Sequence, residues 1–345
     1  MKLVLWPWFL LFFTLVTSSW SLSSDGQALL ALSRNLTLPS SIRSNWSASD
    51  ATPCTWYGVG CNVRNRVISL DLTSSGVSGS LGPEVCRLKY LQILSLSGNN
   101  ISGSIPPELG NLKRFSWLSL YINSLSGTIP EELFKNQFLE QVYLHSNQLS
   151  GSIPFSVGEM TNLKSLWLHE NMLSGALPAS IGNCTKLEEL YLLNNQLSGS
   201  LPETLSEIKG LRVFDASYNS FTGEITFSFE NCKLENFSLS FNYIKGEIPS
   251  WLGNCRSLIE LGLVNNSLSG KIPTSLGLLS NLTYLILSQN YLSGPIPPEI
   301  GNCQLLQWLE LDANQLEGTI PKELANLGNL KKLFLFDNRL SGTLP

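Results

Sequence analysis

Residues 139–154, LEQVYLHSNQLSGSIP, decide the fold, because nearly the same string returns along the whole chain as LxxLxLxxNxLSGxIP. Its asparagine recurs as Asn99, Asn123, Asn147, Asn171, Asn195 and Asn219, then Asn242, Asn266, Asn290, Asn314 and Asn338, at intervals of 24 residues with a single 23. A weaker copy starts at Val67, with Ser75 in place of the asparagine and Gly82 in place of the proline, which makes twelve copies. Within one copy, alternation predicts a short strand that sends Val142 and Leu144 inward and Gln141, Tyr143 and His145 outward. One strand cannot bury its own leucines. Copies stacked about 4.8 Å apart would form a parallel sheet with continuous leucine columns, each buried leucine contributing roughly 1.5 to 3 kcal/mol. The asparagine amide would then pair backbone groups in the bend, Gly151 would allow the turn after it, and Pro154 would hold the next piece extended.

A fixed period of this length with this Leu and Asn pattern is that of leucine-rich repeats. The fold class that follows is an α/β repeat, a right-handed leucine-rich-repeat solenoid with a concave parallel β-sheet and an N-terminal disulfide cap. Three segments result: 1–22 as a signal peptide, 23–66 as the cap and 67–345 as twelve repeats, the last incomplete.

The leader is read from Lys2, the apolar run Leu3 to Val16 and the small polar residues after it, a run too short to cross a bilayer. Seven sequons agree with secretion: Asn35, Asn45, Asn100, Asn183, Asn236, Asn265 and Asn281. In the cap, Asp25 is expected to cap a helix over Ala28, Leu29 and Leu32, and Cys54 and Cys61 beside Trp56 read as a disulfide. Cys184, Cys232, Cys255 and Cys303 share one place on the outer side of the repeat and read as buried thiols. Cys232 and Cys255 lie in successive copies, so pairing is a second reading, and Cys86 has no obvious partner. Repeat 7 is irregular: Ala216 replaces an inward leucine, Thr226 replaces the proline, and one residue is missing. The chain stops at Pro345 with Leu333, Leu335, Leu340 and Leu344 uncapped, which suggests a longer protein or a truncated product.

Charged residues make up 14% of the chain and the net charge is -4, a balance that argues against nucleic acid or anionic membrane as the main partner. No phosphate loop, nucleophile elbow or kinase motif is present, so an enzyme is not expected, and neither is a cofactor. His145 and His169 fall in successive copies, but Tyr121 and Leu193 flank them and no third ligand follows, so no metal is expected. The outward columns are more informative. Trp117, Tyr121, Tyr143, His145, Trp167, His169 and Tyr191 make a contiguous aromatic and imidazole ridge over repeats 3 to 6, where neighbouring repeats manage with Ser, Thr and Asp. Clustered exposed aromatics on a concave surface mark a binding site. A second apolar set comprises Tyr284, Ile286, Trp308, Phe334 and Phe336. Between them Asn236 is an outward strand residue, and a glycan there would obstruct the inner face, so either Asn236 is unmodified or the ligand path avoids its column.

The cap motifs SDGxxLLxL and CxWxGVxC, followed by 24-residue copies with LSGxIPxxLGN, resemble the extracellular part of plant leucine-rich-repeat receptor-like kinases. The strings LGPEVCRLKYLQILSLSGNNISG, LYINSLSGTIPEELF and NCKLENFSLSFNYIKGEIP are most similar to the receptors for plant elicitor peptides. The resemblance implies an extracellular domain that binds a short secreted peptide along its inner surface, recruits a somatic embryogenesis receptor kinase as co-receptor, and meets the plasma membrane only through C-terminal parts beyond Pro345. A full-length relative would carry a cytoplasmic serine/threonine kinase. A second reading is a secreted inhibitor of pathogen cell-wall hydrolases, similar to the polygalacturonase-inhibiting proteins, whose Cys-containing C-terminal cap is missing here. A soluble decoy receptor is a third.

Overall fold

The computed structural model describes residues 21–343. The expected leader lies outside them except for its last two residues, and Leu22 is already buried in the cap, where its carbonyl accepts from Gln27 Nε2 at 2.8 Å. Two sheets of thirteen strands each run through the described residues. The inner one opens with Val59–Cys61 antiparallel to Val67–Asp71 and continues parallel and in register to Lys332–Phe334. Register is strict: Tyr143 stands beside Trp167 and Trp167 beside Tyr191.

The second sheet was not expected. It begins with Leu36–Thr37 antiparallel to Ser78–Ser80 and runs parallel to Arg339–Ser341, using the LSG segments such as Gln148–Gly151 as strands. Gly151 does take a left-handed backbone, at φ +76°, but the segment before it pairs with its neighbours rather than serving as a turn alone. On the outer side, among the described residues, nine short 3-10 turns start after a proline or glycine, and one short α-helix, Glu131–Phe134, stands in the same place in repeat 3.

In repeat 7, among the described residues, no such turn forms between Ser220–Gly223 and Asn236–Ser238. Phe227, Phe229, Phe237 and Trp251 fill the space with ring centroids 5.6 to 6.4 Å apart. Cys232 is joined to Cys255 there, which corrects the buried-thiol reading for this pair. The reason is spacing: only repeats 7 and 8 carry the cysteine in successive copies, and stacking brings their Cα atoms to 4.8 Å. Cys184 and Cys303, each without a partner one repeat away, stay buried thiols whose Sγ donates to a carbonyl. Cys86 is also free and buried, and burial pushes its thiol up to about 12.

The cap is held by charge as well as by its Cys54–Cys61 bridge. Ser23, not Asp25, caps the helix Ser24–Leu32, its hydroxyl accepting from Gly26 N–H at 3.3 Å. Asp25 is instead 1% exposed and accepts from Arg66 Nε at 3.0 Å, Arg66 Nη2 at 2.8 Å and Val67 N–H at 2.9 Å. A carboxylate one residue into the helix thus ties the cap to the first repeat strand. Trp46 stacks on Trp56 at 5.4 Å beside it.

Each repeat is locked to the previous one by its asparagine. Asn147 Nδ2 donates to Leu120, Leu144 and His145 carbonyls at 3.0, 3.1 and 3.2 Å, while its Oδ1 accepts from Leu125 N–H at 3.0 Å. The residue ahead of it is left-handed even where it is not glycine, as at Ser146 (φ +53°) and Ile122 (φ +50°). Asn147→Ala leaves an amide and carbonyls unpaired, so a loss of roughly 2 to 4 kcal/mol is expected in urea unfolding. Asn147→Asp should be at least as damaging, because three carbonyls then face an anion with no donor; an unchanged midpoint for either would contradict the ladder's role.

Candidate functional site

Alternation along the inner strands leaves three outward residues per repeat, and parallel register lines these up in columns. The structure brings all seven ridge residues into one connected cluster made of two ladders. In the first, Tyr143, Trp167 and Tyr191 meet edge to face at 4.9 and 5.0 Å, and Trp117 closes the row against Tyr143 at 5.3 Å. In the second, Tyr121, His145 and His169 lie flat on one another at 4.5 and 4.2 Å. His145 and His169 also touch Trp167, which joins the ladders. Such aromatic pairs are worth about 0.5 to 1.5 kcal/mol each beyond burial.

Polar ties fix the ring orientations. Trp167 Nε1 and Ser165 Oγ both donate to Glu189 Oε2, at 3.1 and 3.0 Å, and the Tyr143 hydroxyl donates to Gln141 Oε1. The outer ladder is reachable: Trp117 is 36% exposed, and Tyr143, Trp167 and Tyr191 are half-buried. His145 is the correction. At 9% exposure it is covered by Tyr121, His169 and Trp167, so it supports the ridge from beneath instead of offering a contact.

Burial also sets its charge. Desolvation, then the neighbouring His169, pushes the His145 imidazole down to about 4, and burial lowers His169 as well. The Nδ1 atoms of both are buried without a hydrogen-bond partner. Two stacked imidazoles therefore stay neutral at pH 7, which is what allows them to stack.

Beyond Tyr191 the face becomes acidic. Asp215 and Glu260 are both held above the ordinary carboxylate range by burial, and Ser238 and Gly262 form the floor beside them. Asn236 is half-buried there, and its Nδ2 donates to Glu260 Oε2 at 3.0 Å. Farther on, Tyr284 and Trp308 meet edge to face at 5.5 Å, Lys332 Nζ sits 3.6 Å from the Trp308 ring centroid, and Phe334 meets Phe336, which is 60% exposed. Sequence reasoning missed a third aromatic group, the stacked pair Tyr218 and Phe241 at the strand-end turns. The signal was available: these residues precede Asn219 and Asn242 in a column whose other members are mostly small or polar.

With this architecture in view, the chain belongs to the leucine-rich-repeat family. The leucine rich repeat N-terminal domain matches residues 22–62, and leucine rich repeat models match 90–112, 162–184, 186–208, 232–292 and 305–327. Among curated proteins, a receptor-like protein kinase of Ipomoea nil is 49% identical over 88 residues, 24% of this chain and 8% of that protein. The leucine-rich repeat receptor-like protein kinase PEPR1 of Arabidopsis thaliana is 46% identical over 91 residues, 24% of this chain and 8% of that protein. The PEPR1 structure solved with AtPEP1 superposes with a TM-score of 0.85 at 44% identity, covering 94% of this chain and 50% of that one. The Arabidopsis receptor kinase HAESA, solved with the peptide hormone IDA and the co-receptor SERK1, gives a TM-score of 0.62 at 30% identity, covering 94% and 67%. The chain therefore resembles plant leucine-rich-repeat receptor kinase ectodomains and spans about half of the solved PEPR1 chain.

The neutral His145 makes a pH prediction. Its folded value lies below the ordinary 6.5, so its contribution is complete above pH 6.5 and is lost as pH falls toward 4, where the unfolded chain takes up a proton the folded one excludes. The loss is roughly 2 to 3 kcal/mol. Unfolding free energies at pH 7.5 and 4.5 should differ less in His145→Phe than in the native chain by about that amount; an identical difference in both would show that His145 is not buried and neutral.

Proposed function

We infer that this chain is an extracellular peptide-recognition region of the kind carried by plant leucine-rich-repeat receptor kinases, and that it binds an extended secreted peptide along the inner sheet. The observation that carries the reading is the continuous aromatic row Trp117, Tyr143, Trp167 and Tyr191, oriented by Gln141 and Glu189 and open to solvent on one side. An extended chain laid across parallel strands meets one column step per strand, and each half-buried ring offers an apolar face with a polar tip. Rings already held in place lose little freedom on binding, which favours affinity. Tyr121 and His169 flank the row, and His145 props it from below.

Similarity to PEPR1, solved with AtPEP1, and to HAESA, solved with the peptide hormone IDA, supports a peptide as the ligand class, and defence signalling is the setting that the resemblance to elicitor-peptide receptors implies. Similarity to HAESA, solved with IDA and the co-receptor SERK1, supports a co-receptor of the SERK type. The expected leader and the seven sequons support an extracellular location.

The test is direct. Tyr143, Trp167 and Tyr191 changed together to Ser should abolish binding of a fluorescent elicitor-type peptide while the far-UV circular dichroism of the repeat stack is retained. Unchanged affinity in a folded triple variant would end this assignment. Inhibition of pectin digestion by the native chain would favour the hydrolase-inhibitor reading instead.

A further inference from the structure

The column of residues just ahead of the ladder asparagines is left-handed throughout, a conformation that suits Gly, Asn and Asp and disfavours bulky side chains. Yet repeats 7 and 8 place Tyr218 and Phe241 in it, at φ +52° and +55°. Their rings lie flat on one another, with centroids 4.2 Å apart and planes 10° from parallel, and Tyr218 is 53% exposed. The left-handed turn is common to every repeat; what sets repeats 7 and 8 apart is the apolar stack left in water, which invites something to cover the rings.

The next residue in the same column is Asn265, exposed and at φ +54°, and it opens the sequon Asn265-Asn266-Ser267. Neighbours in this column touch each other: Ser146 Oγ donates to Glu170 Oε2, one repeat away, at 2.6 Å. Parallel register from repeat 7 to repeat 9 therefore puts Asn265 beside Phe241, on the side away from Tyr218, at about one strand spacing. The hydrogen-rich face of N-acetylglucosamine is apolar and packs on aromatic rings as another ring edge would. Asn265 is the sequon that stands next to this stack, whereas Asn35, Asn236 and Asn281 each donate a side-chain N–H, to Glu84, Glu260 and the Arg256 carbonyl respectively.

We propose that Asn265 carries an N-linked glycan whose first sugar lies against Phe241, so that Tyr218 and Phe241 form a platform for it. In the attachment, the C1–O bond of a lipid-diphosphate-linked oligosaccharide breaks and a C1–N bond to Asn265 Nδ2 forms. Nδ2 gives up one proton and the lipid diphosphate leaves. The proposal depends on passage through a secretory pathway and is independent of what the aromatic ridge binds.

The experiment uses the chain secreted from plant or insect cells, mapped by glycopeptide mass spectrometry and then trimmed by endoglycosidase to one N-acetylglucosamine per site. Asn265 should be occupied. In proton NMR its acetyl methyl, identified by its loss in Ser267→Ala, should be shifted upfield by ring current in the native chain and not in Phe241→Ser. Ser267→Ala should lower Tm by roughly 2 °C in the native background and by nothing in the Phe241→Ser background. Asn265→Gln repeats the comparison if Ser267→Ala is poorly secreted. An unmodified Asn265 overturns the proposal. So does an acetyl methyl at its free-sugar position together with additive Tm changes.

Discussion

The structure depends on one side chain reaching across a gap between strands. Asn147 draws its hydrogen-bond partners from two repeats at once, Leu120 and Leu125 in the one before and Leu144 and His145 in its own. The same four-way arrangement recurs at Asn171, Asn195 and each later ladder residue. Without it, buried carbonyls in every bend would face apolar neighbours, a cost that would accumulate with each copy. The exception explains itself. The first repeat has Ser75 here, and what lies before it is the cap, not another repeat; Asp25 and Arg66 make that junction. Asn99, in the second repeat, then reaches back to Leu72, Ser75 and Val77.

Strict register is what turns this ladder into a surface. Because residues 24 apart stand side by side, the chain can place Tyr143, Trp167 and Tyr191 in edge-to-face contact with no local sequence proximity at all. The stack also decides which members are available. Trp117 at the end of the row is open, whereas His145 is enclosed by neighbours on three sides and kept neutral by that enclosure. The row and the acidic floor at Asp215 and Glu260 form one continuous face of changing polarity, with Asn236 locked between its neighbours.

The asparagine period made the inner sheet and the ridge legible from residues alone, since a repeat in strict register has only one way to stack its columns. Other features left weaker traces. Most strands of the second sheet bury a single apolar side chain, such as Leu149, Phe221 or Ile244, among residues that look like turn residues, so no alternation announces it. Asp25 looked like a helix cap because its type suits that role, but its partner Arg66 lies 41 residues away. The burial of His145 arises from side chains in the copies before and after, which its own repeat does not show. The Cys232–Cys255 bond was one of two open readings, and the stacking distance selects it.

That bond has a mechanical consequence. A stack whose units hold only their neighbours can fray from either end, one unit at a time, as a zipper does. Cys232–Cys255 ties repeats 7 and 8 covalently at the place where the outer turn is lost, and closing a loop of that length removes roughly 3 kcal/mol of freedom from the opened chain. Fraying that enters from the far end therefore meets a stop before it reaches the aromatic row. The row sits in the segment bounded by two bridges, Cys54–Cys61 at one side and Cys232–Cys255 at the other, like a span between two clamped posts.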